Sequence, residues 1–186
     1  MHKIQVVGSS CSGKTTLARR LSQLLAIEHM ELDAQYWLSN WTARDRLEFH
    51  SVVSDTVEKN QWIVDGNYRS KLGNLVSDRA DTIIWLDLPF ITVYRRVIIR
   101  CAKRIFSRAQ LWNGNTENLR NLLFRRDSLL YWVPGHWQSL KDDYGALFTE
   151  NTNSRNLLRF KSASELENWL ADLRRTTDTG ARNTAG

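Results

Sequence analysis

The chain has 186 residues, of which 42% are hydrophobic and 25% are charged. These values are typical of one globular domain, and the length leaves no room for a second domain of ordinary size. The two cysteines, Cys11 and Cys101, have neither the number nor the spacing of a disulfide framework or a metal site, which favours a reducing compartment. The most apolar later stretch, at 83–99, contains an aspartate and two arginines and is excluded as a membrane span. No cleavable signal is expected because a buried strand begins at once, so we predict a cytoplasmic protein.

The net charge is +6 at pH 7 and the isoelectric point is about 9.6. Such a balance favours polyanionic partners, and two classes of protein fit it. A nucleic-acid binder would present a continuous basic surface, whereas a phosphoryl-transfer enzyme would bring arginines to a nucleotide.

The first predicted element is a β-branched strand at 4–7, followed by a loop that matches G-x-x-x-x-G-K-[ST] at 8–15. Leucines at helical spacing then predict a helix that begins at Lys14. In a strand, loop and helix of this order, backbone N–H groups and the helix N-terminus bind phosphates, while Lys14 reaches the terminal phosphates and Thr15 ligates Mg²⁺. The predicted nucleotide-binding residues are Gly8, Ser9, Ser10, Cys11, Ser12, Gly13, Lys14, Thr15 and Thr16.

Further along the chain, strands and helices alternate, which predicts a parallel sheet wrapped by helices. Strands are predicted at 29–32, 62–64, 83–86 and 156–160. Helices are predicted from Thr42 to about 58, at 90–105, in two pieces within 107–144 broken near Pro134, and after the capping box of Ser162 and Glu165. Residues 176–186 have nothing to bury and are predicted to be a disordered tail after a single domain at 1–175.

An aspartate follows three of the predicted strands and a glycine follows the first, and ligands bind at the carboxyl ends of parallel strands. Gly8, Asp33, Asp65 and Asp87 should therefore lie along one rim of the sheet. Asp65 is interpreted as a Mg²⁺ ligand, with a turn-forming aspartate as the alternative. Asp33 either orients or deprotonates an acceptor hydroxyl, binds Mg²⁺, or caps a turn. Asp87 is interpreted as the cap of the following helix.

Two groups of arginines suggest phosphate binding, with a solvated basic face as the alternative. The first group recurs every four residues on one helix face, where like charges repel unless an anion gathers them. The second lies in the irregular segment at 107–144. The first group is Arg96, Arg100, Arg104 and Arg108, and the second is Arg120, Arg125 and Arg126.

The tryptophans divide by position along the chain. Trp62, Trp85 and Trp169 lie on predicted apolar faces and are assigned to the core. The others lie in segments predicted to border the acceptor, where they either stack on it or form a small second core. These are Trp37, Trp41, Trp112, Trp132 and Trp137.

The loop at 8–15 and the turn Asp65-Gly66-Asn67-Tyr68-Arg69 resemble those of P-loop kinases of the adenylate kinase type. The chain more closely resembles their small relatives called topology modulation proteins, from Lys3 to about Leu173. In adenylate kinases the turn reads D-G-[FY]-P-R, so this chain departs from it at Asn67 and Tyr68. The resemblance implies a P-loop NTPase fold with a five-stranded parallel sheet and a helical lid at about 107–144. It also implies that Arg69 faces an acidic group of the acceptor and that lid arginines close over the phosphates.

Asp33 is similar to an aspartate that small-molecule kinases such as shikimate kinase carry near the acceptor hydroxyl. Adenylate kinases lack it, which argues against a nucleoside monophosphate as the acceptor.

Together these features predict a phosphotransferase that uses ATP and Mg²⁺ and acts on a nucleotide or a small molecule, with the acceptor left open. Two alternatives remain open: a nucleic-acid-associated or regulatory ATPase, and a nucleotide-binding switch without turnover. The catalytic residues of the first interpretation are Lys14, Asp33, Arg69, Arg125 and Arg126, and its Mg²⁺ ligands are Thr15 and Asp65.

Overall fold

The computed structural model describes residues 1–107, 112–115, 129–150 and 155–183. Within them, short strands alternate with helices as the sequence predicts. The strands are β1 (Lys3–Gly8), β2 (His29–Glu31), β3 (Trp62–Asp65), β4 (Thr82–Leu86) and β5 (Asn156–Phe160). The helices are α1 (Lys14–Leu25), α2 (Leu32–Tyr36), α3 (Arg46–Val57), α4 (Arg69–Leu72), α5 (Leu75–Arg79), α6 (Phe90–Ser107), α7 (Leu129–Glu150) and α8 (Ala163–Asn183). Two 3-10 turns lie at Ser39–Trp41 and Trp112–Gly114.

The strands form one five-stranded parallel sheet in the order β2-β3-β1-β4-β5. Helices cover both faces of the sheet. Successive side chains of β1 point to opposite faces and therefore pack against different helices. Val6 packs with α1 and α8 on one face, whereas Val7 packs with α3, α5 and α7 on the other. Val6 pairs with Asp65 and Gly8 pairs with Leu86, so the carboxyl ends of the central strands meet at one edge. The predicted α/β fold with a parallel sheet is confirmed.

The end of β2 and the start of α3 differ from the prediction. β2 ends at Glu31, and Asp33 lies in the first turn of α2. α3 begins at Arg46, where Asp45 caps it by accepting from the N–H groups of Leu47 and Glu48 at 2.8 and 3.3 Å. Thr42 is not the cap because the next residue, Ala43, pairs with Trp37 in an antiparallel bridge.

The two helices predicted around Pro134 are one helix, α7. A proline inside a helix removes one backbone hydrogen bond and usually bends or breaks it. Here the preceding residue, Val133, is buried against Val93, Val97 and Cys101 of α6, and this packing holds the turn. The predicted break was therefore wrong, because packing outweighed the lost hydrogen bond.

Asp87 has a structural role other than the predicted helix cap. Its buried carboxylate accepts two hydrogen bonds from Arg159 of β5, at 2.6 and 3.0 Å, and lies 3.5 Å from Lys141 of α7. The described partners of Asp87 thus tie β4 to β5 and α7 rather than cap α6.

The last helix begins with the predicted capping box, except that the Glu165 carboxylate bonds the N–H of Lys161 and not that of Ser162. The Glu165 N–H donates to Ser162 Oγ at 3.2 Å, and the Lys161 N–H donates to Glu165 Oε2 at 2.8 Å. The helix then continues to Asn183, beyond the predicted end of the domain at Arg175. In the added turns, Thr176 Oγ1 donates to the Leu173 carbonyl at 2.7 Å. The stretch predicted to be disordered is therefore helical through Asn183.

Among the described residues, no helix combines the length and the apolar character needed to cross a bilayer. The cytoplasmic location and the lid boundaries stay predictions.

Candidate active site

The loop between β1 and α1 has the tight backbone that a phosphate-binding loop requires. Gly8 has φ +145°, and a Cβ there would lie 2.7 Å from the Leu86 carbonyl oxygen. Only glycine fits this position. The loop turns back through a hydrogen bond from the Ser12 N–H to the Ser9 carbonyl at 3.1 Å, and Gly13 forms the N-cap of α1. The N-terminus of α1 therefore opens into the loop, an arrangement that binds anions.

Lys14 extends over this loop. Its Nζ donates to the Ser9 carbonyl at 3.0 Å. Burial lowers the pKa of the Lys14 ammonium, while the carboxylates of Asp33 and Asp65 oppose that shift. The two carboxylates thus favour the charged form of Lys14, and a cation beside such a loop is suited to bind phosphate.

Thr15 and Asp65 are brought together at the end of β3. The Thr15 hydroxyl donates to Asp65 Oδ2 at 2.6 Å and lies 3.3 Å from Glu31 Oε1. Asp65 is buried, and Glu31 closes the adjacent strand β2 in register with it. A hydroxyl and a carboxylate this close match the donors that Mg²⁺ uses together with nucleotide phosphates.

Among the described residues, no cluster of three His, Cys, Asp or Glu residues forms a metal site of its own. A nucleotide-bound Mg²⁺ does not need one, because it is usually held by one or two carboxylates together with phosphate oxygens and water.

Glu31 is a site residue that the sequence interpretation missed. Burial raises the pKa of its carboxyl, and the neighbouring Asp65 and Asp33 raise it further. A hydrogen bond from the Trp112 side chain and the charge of Arg19 act in the opposite direction. Its position at the end of β2 was the available signal, but the strand was predicted to run one residue further.

Asp33 faces a different partner from Asp65. Its Oδ1 accepts from the Tyr68 hydroxyl at 2.7 Å, so its described contact is a side chain and not the backbone N–H that a cap would bind. Burial, followed by the Asp33 charge, raises the pKa of Tyr68, which keeps the phenol protonated as a donor. Gly66, with φ +138°, allows the turn after β3 to approach α2, since a Cβ there would lie 2.8 Å from Leu32 Cβ.

Asn67 clamps the start of the phosphate loop. Its side-chain amide bonds both backbone groups of Gly8: Oδ1 accepts from the N–H at 3.2 Å, and Nδ2 donates to the carbonyl. Tyr144 of α7 donates its hydroxyl to the same Oδ1 at 3.3 Å. The departure from the adenylate kinase turn at Asn67 therefore has a structural consequence, because it links the loop to α7.

Arg69 begins α4, next to Tyr68. Its Nη1 donates to the Asp143 carbonyl at 3.2 Å, and its Nε donates to Asn74 Oδ1 at 3.1 Å. The Arg69 side chain therefore reaches from the start of α4 to α7, and no carboxylate partner is recorded for it among the described residues.

Two of the arginines on α6 contact the phosphate loop. Arg96 Nη1 donates to the Ser12 carbonyl at 3.0 Å, and Arg100 Nη1 lies 3.6 Å from Cys11 Sγ. The other arginines of the two groups fall outside the described residues, so their roles stay predictions. These are Arg108, Arg120, Arg125 and Arg126, together with the side chain of Arg104.

The tryptophans separate into a core set and a rim set. Trp62 and Trp85 are buried, as predicted, and Trp169 packs against the core beside Phe160. Trp132 and Trp137 pack with α6 and thus form the small second core. At the rim, the rings of Trp37 and Trp41 are 5.8 Å apart, and those of Trp41 and Trp112 are 6.3 Å apart.

The two 3-10 turns dock on each other at this rim. Asn115 is buried; its Nδ2 donates to the Leu38 carbonyl at 2.9 Å, and its Oδ1 accepts from the Trp41 N–H at 2.8 Å. Asn113 donates from Nδ2 to the Trp37 carbonyl. This docking holds Trp112 where its side chain bonds Glu31.

No family model matches the chain. Over 172 residues, which cover 91% of the chain and 83% of the relative, it is 24% identical to the uncharacterized protein YqaC of Bacillus subtilis strain 168. Among solved structures, it resembles the shikimate kinase from Aquifex aeolicus, with a TM-score of 0.54, 16% identity and coverage of 96% of this chain and 97% of the other. The shikimate kinase from Bacteroides thetaiotaomicron gives a TM-score of 0.51 at 12% identity, with 94% and 97% covered. The chain therefore has the α/β fold of the P-loop NTPases.

Proposed function

We propose that this protein is an ATP- and Mg²⁺-dependent kinase that phosphorylates a small hydroxyl-bearing acceptor. One observation carries the proposal: the carboxylates at the rim serve two separate sites. Asp65 and Glu31 surround Thr15, whereas Asp33 is bonded by Tyr68. A nucleotide-binding switch or simple ATPase needs the first site, and an enzyme with an acceptor needs both.

The donor nucleotide is assigned to the loop at 8–15. Its backbone N–H groups and the N-terminus of α1 bind the phosphates, and Lys14 supplies the cation. Arg96 and Arg100, which contact Ser12 and Cys11, are positioned to add positive charge at the same loop. They join Arg125 and Arg126 as candidates for stabilising the transferred phosphoryl group.

Thr15 and Asp65, with Glu31 beside them, fit a Mg²⁺ ion bound to the nucleotide. Their donors are a hydroxyl and carboxylates, the oxygen ligands that this ion takes in phosphoryl-transfer enzymes. When bound, Mg²⁺ neutralises phosphate charge and orients the nucleotide.

Asp33 is proposed to act on the acceptor. Its carboxylate accepts the proton of the acceptor hydroxyl while that oxygen forms a bond to the terminal phosphorus and the bond to the nucleoside diphosphate breaks. Tyr68, a protonated donor at 2.7 Å, holds the carboxylate in one orientation. Phosphoryl transfer asks the protein mainly for such positioning and for charge stabilisation.

A cleft lies next to Tyr68, the side chain whose hydroxyl bonds Asp33. Its lining includes Gln5, Arg69 and Tyr144, and the buried Oε1 of Gln5 has no hydrogen-bond partner among the described residues. Arg69 offers a cation for an acidic group, and the rim tryptophans offer apolar rings. Two of the solved structures that the chain resembles are named as shikimate kinases, which is in keeping with a small acceptor.

A nucleic-acid-associated ATPase is the second candidate. The net charge of +6 favours it, since a basic surface attracts polyanions. The Arg96 and Arg100 contacts place part of this positive charge at the nucleotide loop, so that part does not require a nucleic acid to explain it.

The test is a screen for phosphate transfer from ATP, with and without Mg²⁺, to nucleotides, nucleosides, sugars and hydroxy acids. We expect ADP formation that depends on one acceptor class and that disappears in Lys14→Ala, while the fold is kept. Lys59→Ala, which removes an exposed lysine paired with Glu28, is the matched control and should retain full activity. Unchanged turnover in a folded Lys14→Ala variant would refute the proposal.

A further inference from the structure

His29 contacts the carboxylate that we assign to Mg²⁺. Asp65 Oδ2 accepts from Thr15, and its other oxygen, Oδ1, lies 3.2 Å from His29 Nε2. We propose that His29 is a positioning residue that fixes the orientation of Asp65 toward Thr15 and the metal. This inference rests on the proposed function, because it assigns Asp65 to Mg²⁺.

The sheet explains why His29 reaches Asp65. His29 and Glu31 are two residues apart on β2, so their side chains lie on the same face of the sheet. Glu31 is in register with Asp65 and His29 with Ile63 on the neighbouring strand β3. The His29 side chain is 11% exposed and that of Asp65 is 2% exposed, so neither carboxylate oxygen is freely solvated.

A carboxylate bonded through one oxygen can still rotate about its last torsion angle. A second hydrogen bond to the other oxygen removes that freedom, and partners of this kind orient metal ligands in many proteins. If His29 only filled space, an apolar residue of similar size would serve. Such a residue would leave Asp65 Oδ1 buried without this donor, which is costly.

Three variants test whether the hydrogen bond from His29 to Asp65 supports Mg²⁺ binding. His29→Leu fills the space without a donor, whereas His29→Gln places an N–H near the position of Nε2. The matched control is His50→Leu, on the exposed side of α3. We expect His29→Leu to weaken Mg²⁺ binding to the protein–ATP complex by about tenfold or more, as losses of metal-orienting partners usually do. His29→Gln should recover most of this loss, and His50→Leu should match the wild type.

Mg²⁺ binding is measured by titrating MgCl₂ into the protein with ATP and following tryptophan fluorescence. ATP affinity in EDTA is measured by calorimetry and should be the same for all four proteins. A purely structural role would change both affinities together, so the ratio of the two is the decisive quantity.

The outcomes separate the inference from the proposed function. Wild-type protein that binds no ATP, with or without Mg²⁺, would overturn both. Wild-type protein with Mg²⁺-dependent binding that His29→Leu preserves would overturn the inference alone. Equal losses in His29→Leu and His29→Gln would also overturn it, because the donated hydrogen bond would then not matter.

Discussion

At the scale of single residues, the distribution of negative charge decides the chemistry. Lys14 lies within the field of both Asp33 and Asp65, which raise its pKa against the effect of burial. The Thr15 hydroxyl is hydrogen-bonded to Asp65 and Glu31, and the Tyr68 hydroxyl donates a hydrogen bond to Asp33. Because the two carboxylates beside Lys14 have separate partners, one can serve the nucleotide that donates a phosphoryl group and the other the molecule that accepts it.

We predict that Asp33→Asn lowers kcat for the true acceptor by about 100-fold or more, because the substitution keeps the shape and removes the base. ATP affinity should change by less than about threefold, since the loop and Thr15 are untouched. Steady-state kinetics and calorimetry measure the two quantities. The reverse pattern, with ATP affinity lost and kcat kept, would assign Asp33 to the donor side or to structure.

Glu31 gives a prediction about pH. Its raised pKa means that the folded protein binds the proton more tightly than the unfolded chain does. The associated stability is therefore fully present below the ordinary pKa of 4.5 that the carboxyl has in the unfolded chain, and it is lost as the pH rises through the folded pKa. Glu31→Gln should then raise Tm at pH 7, by a shift of about 2 °C, and give no gain at pH 4.

Thermal unfolding at the two pH values checks this expectation, with Glu28→Gln as the control. Glu28 is exposed and pairs with Lys59, so its replacement should give no pH-dependent gain. The same gain for Glu31→Gln at pH 4 and pH 7 would show that its charge is not the cause.

At the scale of elements, the site depends on segments that are distant in the chain. The turn Trp112–Gly114 docks on the turn Ser39–Trp41 through Asn113 and Asn115. α7 joins the sheet through Lys141 and Asp87, and it joins the phosphate loop through Tyr144 and Asn67. Side-chain hydrogen bonds thus connect the rim tryptophans to Glu31 through Trp112, and they connect α7 to the phosphate loop.

We predict that Asn115→Asp destabilises the protein by about 1–3 kcal/mol and lowers kcat/KM for the acceptor by about tenfold or more. The variant loses the donor to the Leu38 carbonyl and buries a charge there. Urea unfolding and steady-state kinetics provide the two measurements. Asn60→Asp, at an exposed turn, is the control, and equal behaviour of the two variants would contradict a role for the docking.

At the scale of the whole molecule, the question is where the positive charge acts. The net charge of +6 is compatible with a nucleotide or with a nucleic acid. Two arginines of the regular series on α6 contact the phosphate loop, which favours the nucleotide.

We predict that neutralising Arg125 and Arg126 together lowers turnover strongly and leaves general DNA affinity nearly unchanged. In a duplex-binding surface, each lost phosphate contact would instead reduce the slope of log affinity against log salt by about one unit. Both quantities are measured on the same double variant across a salt series. Retained turnover with a flatter slope would favour the nucleic-acid alternative.

The prediction of the fold from sequence succeeded where the signal was local. The β-branched run before Gly8 and the leucine spacing after Lys14 predicted β1 and α1, and both are present. The capping box at Ser162 is confirmed by its hydrogen bonds. Three boundaries were predicted wrongly: the end of β2, the start of α3 and the break at Pro134. Strand pairing and side-chain packing with distant segments determine these boundaries.

The sequence by itself determined the phosphate loop and the alternation of strands and helices. Both depend on backbone torsion angles and side-chain periodicity within a few residues. Only the tertiary structure decided that Glu31 joins Asp65 at Thr15, that Tyr68 holds Asp33, and that Arg96 and Arg100 reach the loop. These contacts depend on the register between β2 and β3 and on the packing of α6, which hydrogen bonds and core contacts between distant parts of the chain establish.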